Sequence, residues 1–412
     1  MTEAGQWDSD TITNLADEVM FSNPFPRYAE LRQHAPVSRV LSKQLVGSGG
    51  YMLTRYDDVM LLLSDPRFSS DPLKQEKPGM VKHLPRMLRL LTDSMVFKDD
   101  PDHARLRRLV NKAFTPRMVQ EMVGDIERVV NQSLDALDQR QVVDLVSDFA
   151  IPLPLAMISR MLGVSDDDRQ QFHSLVARFV AGVGSASAAA FARTLPTARK
   201  LMKLIERMVD DRRTSPDEGL ISALVEAGDE QERLSEDEIV AMIFLLMLAG
   251  FDTTSNLIGS SVLALLDHPE QAARLRGDPA ITASAVEELL RFTSPVACGS
   301  MRHALEDIEV GVQTITKGSK VLGMIISANR DDTVFDNPDQ LDLGRQPNRH
   351  ISFAFGKHFC LGNQLARMEG QVALGTLVRR YPDMSLAVPR EQLAYKTSQS
   401  LRGLKSLPMR LH

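Results

Sequence analysis

Cysteine is almost missing from this chain: 412 residues carry two, Cys298 and Cys360. Two thiols cannot build a disulfide framework, a four-cysteine zinc site or an iron-sulfur cluster, so any cysteine chemistry rests on one sulfur, and a reducing compartment fits best. An excess of one charge is also missing. With 54 acidic against 48 basic residues the net charge is -6, which provides no field to draw DNA or RNA. Long apolar runs are absent too: the most apolar stretch, Val240 to Phe251, falls short of the roughly 20 residues a bilayer crossing needs, and Asp252 follows at once. The first twenty residues contain Glu3, Asp8, Asp10, Asp17 and Glu18 and no basic-then-apolar order. They read as neither signal peptide nor membrane anchor, which leads us to expect a cytoplasmic protein.

What is present is globular: 43% hydrophobic and 25% charged residues sit at the average for a packed domain. Pro36 to Leu41 and Gly50 to Tyr56 flank a Gly/Ser loop and read as strand, loop, strand. From Pro101 to about Leu290 a helical period dominates, interrupted by the small-residue stretch 182–190, which reads as a mobile connection. Beyond Pro295 short strands (DIEVGVQTI, KVLGMII) precede an irregular stretch from Asn329 to Arg349, and a helix-rich piece follows Cys360. No linker and no repeat divides the chain. The expected fold class is mainly α with small β-sheets, one domain over 1–412, with β-containing parts at about 35–56 and 296–412 and a helical body at about 57–295.

The longest helix is marked by a capping box, Ser235-Glu236-Asp237-Glu238, and by apolar residues running to Leu266 before Pro269. Its middle breaks the pattern. Gly250 is a poor helix former, and Asp252 to Asn256 put polar groups where both flanks are apolar. Local rules broken inside a core helix point to a site.

The second anomaly is Phe353-Ala354-Phe355-Gly356-Lys357-His358-Phe359-Cys360-Leu361-Gly362. Glycines on both sides let the backbone turn tightly around the sulfur, and a helical sequence begins immediately afterwards, so a thiolate here gains from the helix N-terminus. No G-x-S-x-G elbow and no second Cys or His cluster accompanies it. A single thiolate suits haem iron, where it favours O–O cleavage. The segment resembles the haem-ligand loop of the cytochrome P-450 superfamily, F-x-x-G-x-(H/R)-x-C-x-G, departing only where many members have glycine at the position of Ala354.

The resemblance spans Pro24 to Leu407 and implies the superfamily's triangular helical prism, with the long helix over a haem b and the cysteine loop beneath it. It implies Cys360 as axial thiolate and His358 as a propionate ligand. His103 and Arg107, one helical turn apart, are similar to the propionate clamp H-x-x-x-R, and Arg302 stands where bacterial members place another propionate arginine. Glu288 and Arg291 are similar to the structural E-x-x-R pair, with Arg345 as its third member. Ala249-Gly250-Phe251-Asp252-Thr253-Thr254 resembles A-G-x-(D/E)-T-(T/S), in which Ala249 and Gly250 line the oxygen site and Asp252 and Thr253 deliver protons.

With no G-x-G-x-x-G, no P-loop and no cluster cysteines, electrons must come from another protein. The resemblance implies a ferredoxin and its NAD(P)H-dependent reductase. His103 to Arg117 holds Arg105, Arg107, Arg108, Lys112 and Arg117 without an acid, a local reversal of the overall charge, which makes Arg108, Lys112 and Lys357 the expected donor-docking residues. Substrate choice is expected at Met87, Leu88, Leu245, Leu248, Val296, Ala297 and, beside Gln399, Ser400. The expectation is an O2-dependent monooxygenase, monomeric, acting on a bulky lipophilic small molecule of the polyketide or macrolide kind. A steroid, terpenoid or fatty-acid hydroxylase of the same fold is the alternative. A haem-thiolate isomerase or a non-catalytic haem protein is the alternative of another class, against which the Asp252 and Thr253 pair speaks.

Overall fold

The computed structural model describes residues 12–42, 45, 49–74, 86, 90, 93–183, 188–228 and 233–412. Two compact units interleave in sequence: Met1–Ser69, Val130–Ala150 and Thr253–His412 form one, and Ser70–Val129 and Ile151–Asp252 the other.

The first unit holds the sheets. Its strands are β1 (Ile12–Asn14), β2 (Val37–Leu41), β3 (Gly50–Leu53), β4 (Phe68–Ser69), β5 (Val143–Asp144), β6 (Arg302–Ala304), β7 (Ile308–Val310), β8 (Gln313–Ile315), β9 (Lys320–Gly323), β10 (Ser385–Leu386) and β11 (Pro408–Arg410). Six form one sheet in the order β1-β2-β3-β9-β6-β4, three form β10-β11-β5, and β7 pairs with β8. β2 lies antiparallel to β3, with Val37 opposite Leu53, and β3 parallel to β9, with Met52 opposite Leu322. All four residues of β3 are buried, as their unbroken apolar run requires of a strand covered on both faces. The expected strands therefore form, but β1, β4 and β5 lie outside the expected β ranges, the last two inside what reads as helical body. Two or three residues are too few to show an alternating pattern.

The helix Tyr56–Ser64 packs on this sheet through Val59 and Leu62. A Cβ at Gly323 of β9 would come within 3.0 Å of Leu62 and 3.1 Å of Val59, so the glycine sets how closely the helix lies. After Cys360 come a long helix, Asn363–Arg380, the strand β10, a short 3-10 turn at Arg390–Gln392 and the strand β11. The helix-rich piece read after Cys360 is thus one long helix, which stops before Pro382, and one short 3-10 turn.

The second unit is helical, with Asp102–Ala113, Pro116–Glu121, Pro152–Met161, Asp166–Val183, Ala188–Thr214 and Leu220–Glu226. Within the stretch 182–190, residues 184–187 lie outside the described residues. The long helix runs from Glu236 to Asp267, and the boundary between the units falls inside it, after Asp252. Its capping box forms: the Glu238 amide donates to Ser235 Oγ at 3.3 Å and the Ser235 amide to Glu238 Oε2 at 2.8 Å. This helix is long and apolar enough to cross a membrane, yet every side chain from Ile239 to Phe244 is packed inside the protein.

Candidate active site

Cys360 is half-buried and sits three residues before the helix Asn363–Arg380. Its amide donates to the Phe353 carbonyl at 2.9 Å, and its own carbonyl accepts from Asn363 Nδ2 at 2.8 Å. Both bonds close the chain into a tight loop at a helix N-terminus, the place that stabilises a thiolate. Gly356 takes φ +71°, and a Cβ there would stand 2.9 Å from the Leu63 carbonyl. The loop thus lies directly on the end of the helix Tyr56–Ser64. Ala354 also adopts a left-handed conformation, φ 60°, which is strained for a residue with a Cβ. Cys298 is a different thiol: fully buried, with burial pushing it up to about 12.

Two adjacent glutamates of the helix Thr282–Thr293 hold the chain around this loop. Glu288 accepts from Arg291 Nη2 and Nε, each at 2.7 Å, and from Arg345 Nε at 3.1 Å, all in the interior. Arg291 also donates to the carbonyls of Asn329 and Pro338, at 2.9 and 2.8 Å. The irregular stretch 329–349 is therefore organised by one buried ion pair and its amide and carbonyl partners. Glu287 accepts from Arg367 Nε at 2.7 Å, and His350 Nε2 lies 3.1 Å from its other oxygen. Burial pushes against ionisation of Glu287, but the bonds from His350 and Arg367 win and hold its carboxyl down at about 2. Arg367 belongs to the helix after Cys360, and its guanidinium lies 4.4 Å over the Phe353 ring.

On the long helix, Leu245, Leu248, Ala249, Asp252 and Thr253 are partly or fully exposed, whereas Met247, Phe251, Thr254, Ser255 and Asn256 are buried. These five are spaced i, i+3, i+4, i+7 and i+8, as on one helix face, and Leu246 and Gly250 beside them are also partly exposed. Gly250 has a second role beyond the one the resemblance implies: a Cβ there would come within 3.0 Å of Ile158 Cδ1, so its bareness also admits the helix Pro152–Met161.

His103 is buried on the helix Asp102–Ala113, with Nδ1 3.7 Å from Asp100 Oδ1, and Arg107 is half-buried one turn on. Arg302 is buried on β6, and His358 is half-buried in the loop. Arg108, Lys112 and Lys357 are exposed. The stretch from His103 to Arg117 holds no acid of its own, yet acids outside it reach two of its arginines. Arg105 pairs with Glu238 and Arg117 with Glu121, partners that a count over residues 103 to 117 cannot include. Of the expected substrate residues, Val296 and Ala297 meet Ser400: Val296 bridges to Leu401, and the Ala297 amide donates to the Ser400 carbonyl at 2.8 Å. Met87 and Leu88 lie outside the described residues.

Among the described residues no three His, Cys, Asp or Glu side chains gather as a metal cluster would require, and Cys360 offers one sulfur at a helix N-terminus. That donor set is the one a haem-thiolate protein needs, so the residues present fit the group. The cytochrome P450 family model matches residues 51–279 and 280–396. The polyketide biosynthesis cytochrome P450 PksS of Bacillus subtilis is 40% identical over 393 residues, 94% of this chain and 96% of the relative. Its solved structure superposes with a TM-score of 0.88, covering 96% of this chain and 98% of that one at 39% identity. The 6-deoxyerythronolide B hydroxylase of Saccharopolyspora erythraea is 36% identical, covering 97% and 99%. A myxobacterial cytochrome P450, CYP267B1, solved in complex with myristic acid, gives a TM-score of 0.88 at 35% identity, covering 97% and 98%. The chain belongs to the cytochrome P450 family: it is a P450 monooxygenase whose cofactor is haem with a cysteine thiolate as axial ligand.

Sequence reasoning missed Glu287 and Glu369. Glu369 is buried in the helix after Cys360 and hydrogen-bonded to Thr254, and burial raises its carboxyl to about 8. A signal existed for Glu369: Leu365, Glu369 and Ala373 are spaced by four, so an acid occupies a core position of an otherwise apolar helix face.

Proposed function

We propose that the chain uses O2 to hydroxylate a bulky lipophilic small molecule of the polyketide or macrolide kind, with electrons from a ferredoxin and its NAD(P)H-dependent reductase. The observation that carries this reading is the open stripe on the long helix. Leu245 and Leu248 offer apolar wall, Ala249 a small exposed residue, and Asp252 and Thr253 an acid and an alcohol at its end. Bound haem supplies O–O bond cleavage next to the substrate, aided by the electron push of the thiolate. The chain's own residues hold and feed it. Cys360 is the thiolate donor, and His103, Arg107, Arg302 and His358 hold the propionates. The Thr253 hydroxyl passes a proton at its oxygen and is re-supplied through the Asp252 carboxyl, a relay that keeps bulk water out of the step. Leu245, Leu248, Val296, Ala297 and Ser400 are the proposed substrate contacts; Met87 and Leu88, also expected there, lie outside the described residues. Apolar walls with few polar anchors suit a lipophilic substrate, and the polyketide assignment is supported by the likeness to the polyketide biosynthesis cytochrome P450 PksS and to the 6-deoxyerythronolide B hydroxylase.

Two measurements test the reading. A spectral titration against macrolactones, steroids, terpenes and fatty acids should give its tightest low- to high-spin shift with a macrolactone. A tighter shift from any other class would overturn the substrate assignment. Thr253→Ala should retain haem and substrate while product formed per NAD(P)H consumed falls, the lost electrons appearing as peroxide or water. An unchanged ratio in both Thr253→Ala and Asp252→Asn would remove the relay.

A further inference from the structure

Beyond Tyr395 the chain folds back on itself as a narrow hairpin. Tyr395 bridges to Leu404, the Lys396 amide donates to the Gly403 carbonyl at 2.8 Å, and the Lys405 amide to the Ala394 carbonyl at 2.8 Å. Its tip, Ser398 to Leu401, is closed by a bond from the Leu401 amide to Ser398 Oγ at 3.1 Å. The tip is docked: the Ser400 carbonyl takes the Ala297 amide, and the buried Gln399 side chain takes the hydroxyl of Ser42.

The stem of the same hairpin grips the long helix. Lys396 Nζ donates to Asn256 Oδ1 at 2.8 Å. Directly across the stem, Gly403 gives way to the same side chain: a Cβ there would stand 1.9 Å from Asn256 Oδ1 and 2.3 Å from Cγ. Asn256 is 3% exposed and lies one helical turn after Thr253, the spacing at which helical neighbours touch. For packing alone an apolar side chain is the better choice, because Asn is a modest helix former and its Nδ2 meets no acceptor among the described residues. A charged donor on Oδ1 gives the asparagine a reason to be there, since a bond to an ammonium is about twice as strong as a neutral one.

We propose that Lys396 is a positioning residue: through Asn256 it fixes the turn of the long helix that carries Thr253, and it does so from the hairpin whose tip bears Gln399 and Ser400. The inference rests on the reading above of Thr253 as the relay alcohol and of Ser400 as a substrate contact. The tip and the grip are two to three residues apart on strands bonded to each other, so a shift of the tip is carried into the stem and not absorbed by it. A substrate that seats well against Ser400 sets the Thr253 hydroxyl in place, and one that seats badly leaves it displaced. The residue thus acts on the fate of the electrons and not on the affinity for substrate.

The test uses the haem-loaded enzyme with ferredoxin and reductase. Its probe is whichever of 6-deoxyerythronolide B, testosterone and myristic acid gives the largest spin-state shift. Lys396→Met keeps the stem length and removes the ammonium. The reduced-CO band is expected to stay in place and probe affinity to hold within about three-fold, while product per NAD(P)H falls by about five-fold or more. Lys396→Arg restores at least half of the loss. A second readout needs no turnover. Probe binding protects the amides of Thr253 to Leu257 from hydrogen exchange in the parent, and about ten-fold less in Lys396→Met. Should Lys396→Met not retain haem, Lys396→Gln carries the same expectations at smaller amplitude. Parent-like ratio and protection in the Lys396 variant overturn the proposal. In a Thr253→Ala background Lys396→Met should change the ratio less than about two-fold, because the group it positions is gone; a further five-fold drop also overturns it. If Thr253→Ala by itself leaves the ratio at the parent value, the relay reading fails, and the exchange data alone show whether Lys396 couples hairpin to helix.

Discussion

Thr254 hydrogen-bonds the buried carboxyl of Glu369. The residue beside Thr253 is thereby tied to the helix that opens three residues after Cys360. Burial raises Glu369 to about 8 against the Thr254 bond, so at neutral pH it is mostly protonated and hands Thr254 a carboxylic acid.

That protonation has a stability consequence. The folded chain holds this proton more tightly than the unfolded chain, whose value is 4.5. The favourable contribution is therefore complete below pH 4.5 and is lost as pH rises toward and through 8, at up to about 1.4 kcal/mol per pH unit. Glu369→Gln removes the slope. Urea midpoints measured across this window should show the variant gaining on the parent as pH rises. Parallel curves would mean the carboxyl is ionised throughout.

The two thiols make opposite predictions. Cys360→Ser should abolish the red-shifted band of the reduced-CO complex that thiolate ligation gives, and Cys298→Ser should leave it intact, since the Cys298 thiol is buried and held up at about 12. A band that survives in the Cys360 variant sinks the ligand assignment.

Ala354 sits at φ 60°, where a side chain costs roughly 1–2 kcal/mol. Ala354→Gly relieves that strain and gives back part of it as unfolded-state entropy, for a net gain of about 0.5–1 kcal/mol. Thermal unfolding of the holoenzyme should therefore move up by a few degrees, and a fall would show that the surrounding contacts need the methyl group.

Arg108 and Lys112 are exposed on the helix Asp102–Ala113, and Arg117, also exposed, pairs with Glu121. Charge reversal at Arg108 and Lys112 should slow ferredoxin-supported turnover several-fold at low ionic strength and flatten its salt dependence, with substrate affinity unchanged. Reversal at Arg117 should do little. Unaltered rates at low salt in both of the first two variants would place the donor elsewhere.

How legible these features are in the sequence follows from how local their causes are. The capping box at Ser235 and Glu238 and the turn into the helix after Cys360 depend on residues within a few positions, and both read directly. The strand β5 does not, because two residues carry no pattern and their partner β11 lies more than 260 positions away. The basic stretch misleads for the same reason: one neutralising acid, Glu238, belongs to another helix. Glu288 and Arg291 announce themselves at i,i+3, but only the fold shows that Glu287, facing the next direction around the same helix, takes Arg367 from the cysteine helix.

The interleaving of the two units bears on how the protein is made. All of Ser70–Val129 and Ile151–Asp252 leaves the ribosome before most of Thr253–His412 exists, so the helical unit has its whole sequence available while the other waits. At 5–20 residues per second that wait is on the order of ten seconds. The sheet β10-β11-β5 cannot close until β11, Pro408–Arg410, has been made, more than 260 positions after its partner β5. Until β11 is made, Val143 and Leu145, both buried in the folded chain, lack the strand that pairs beside them.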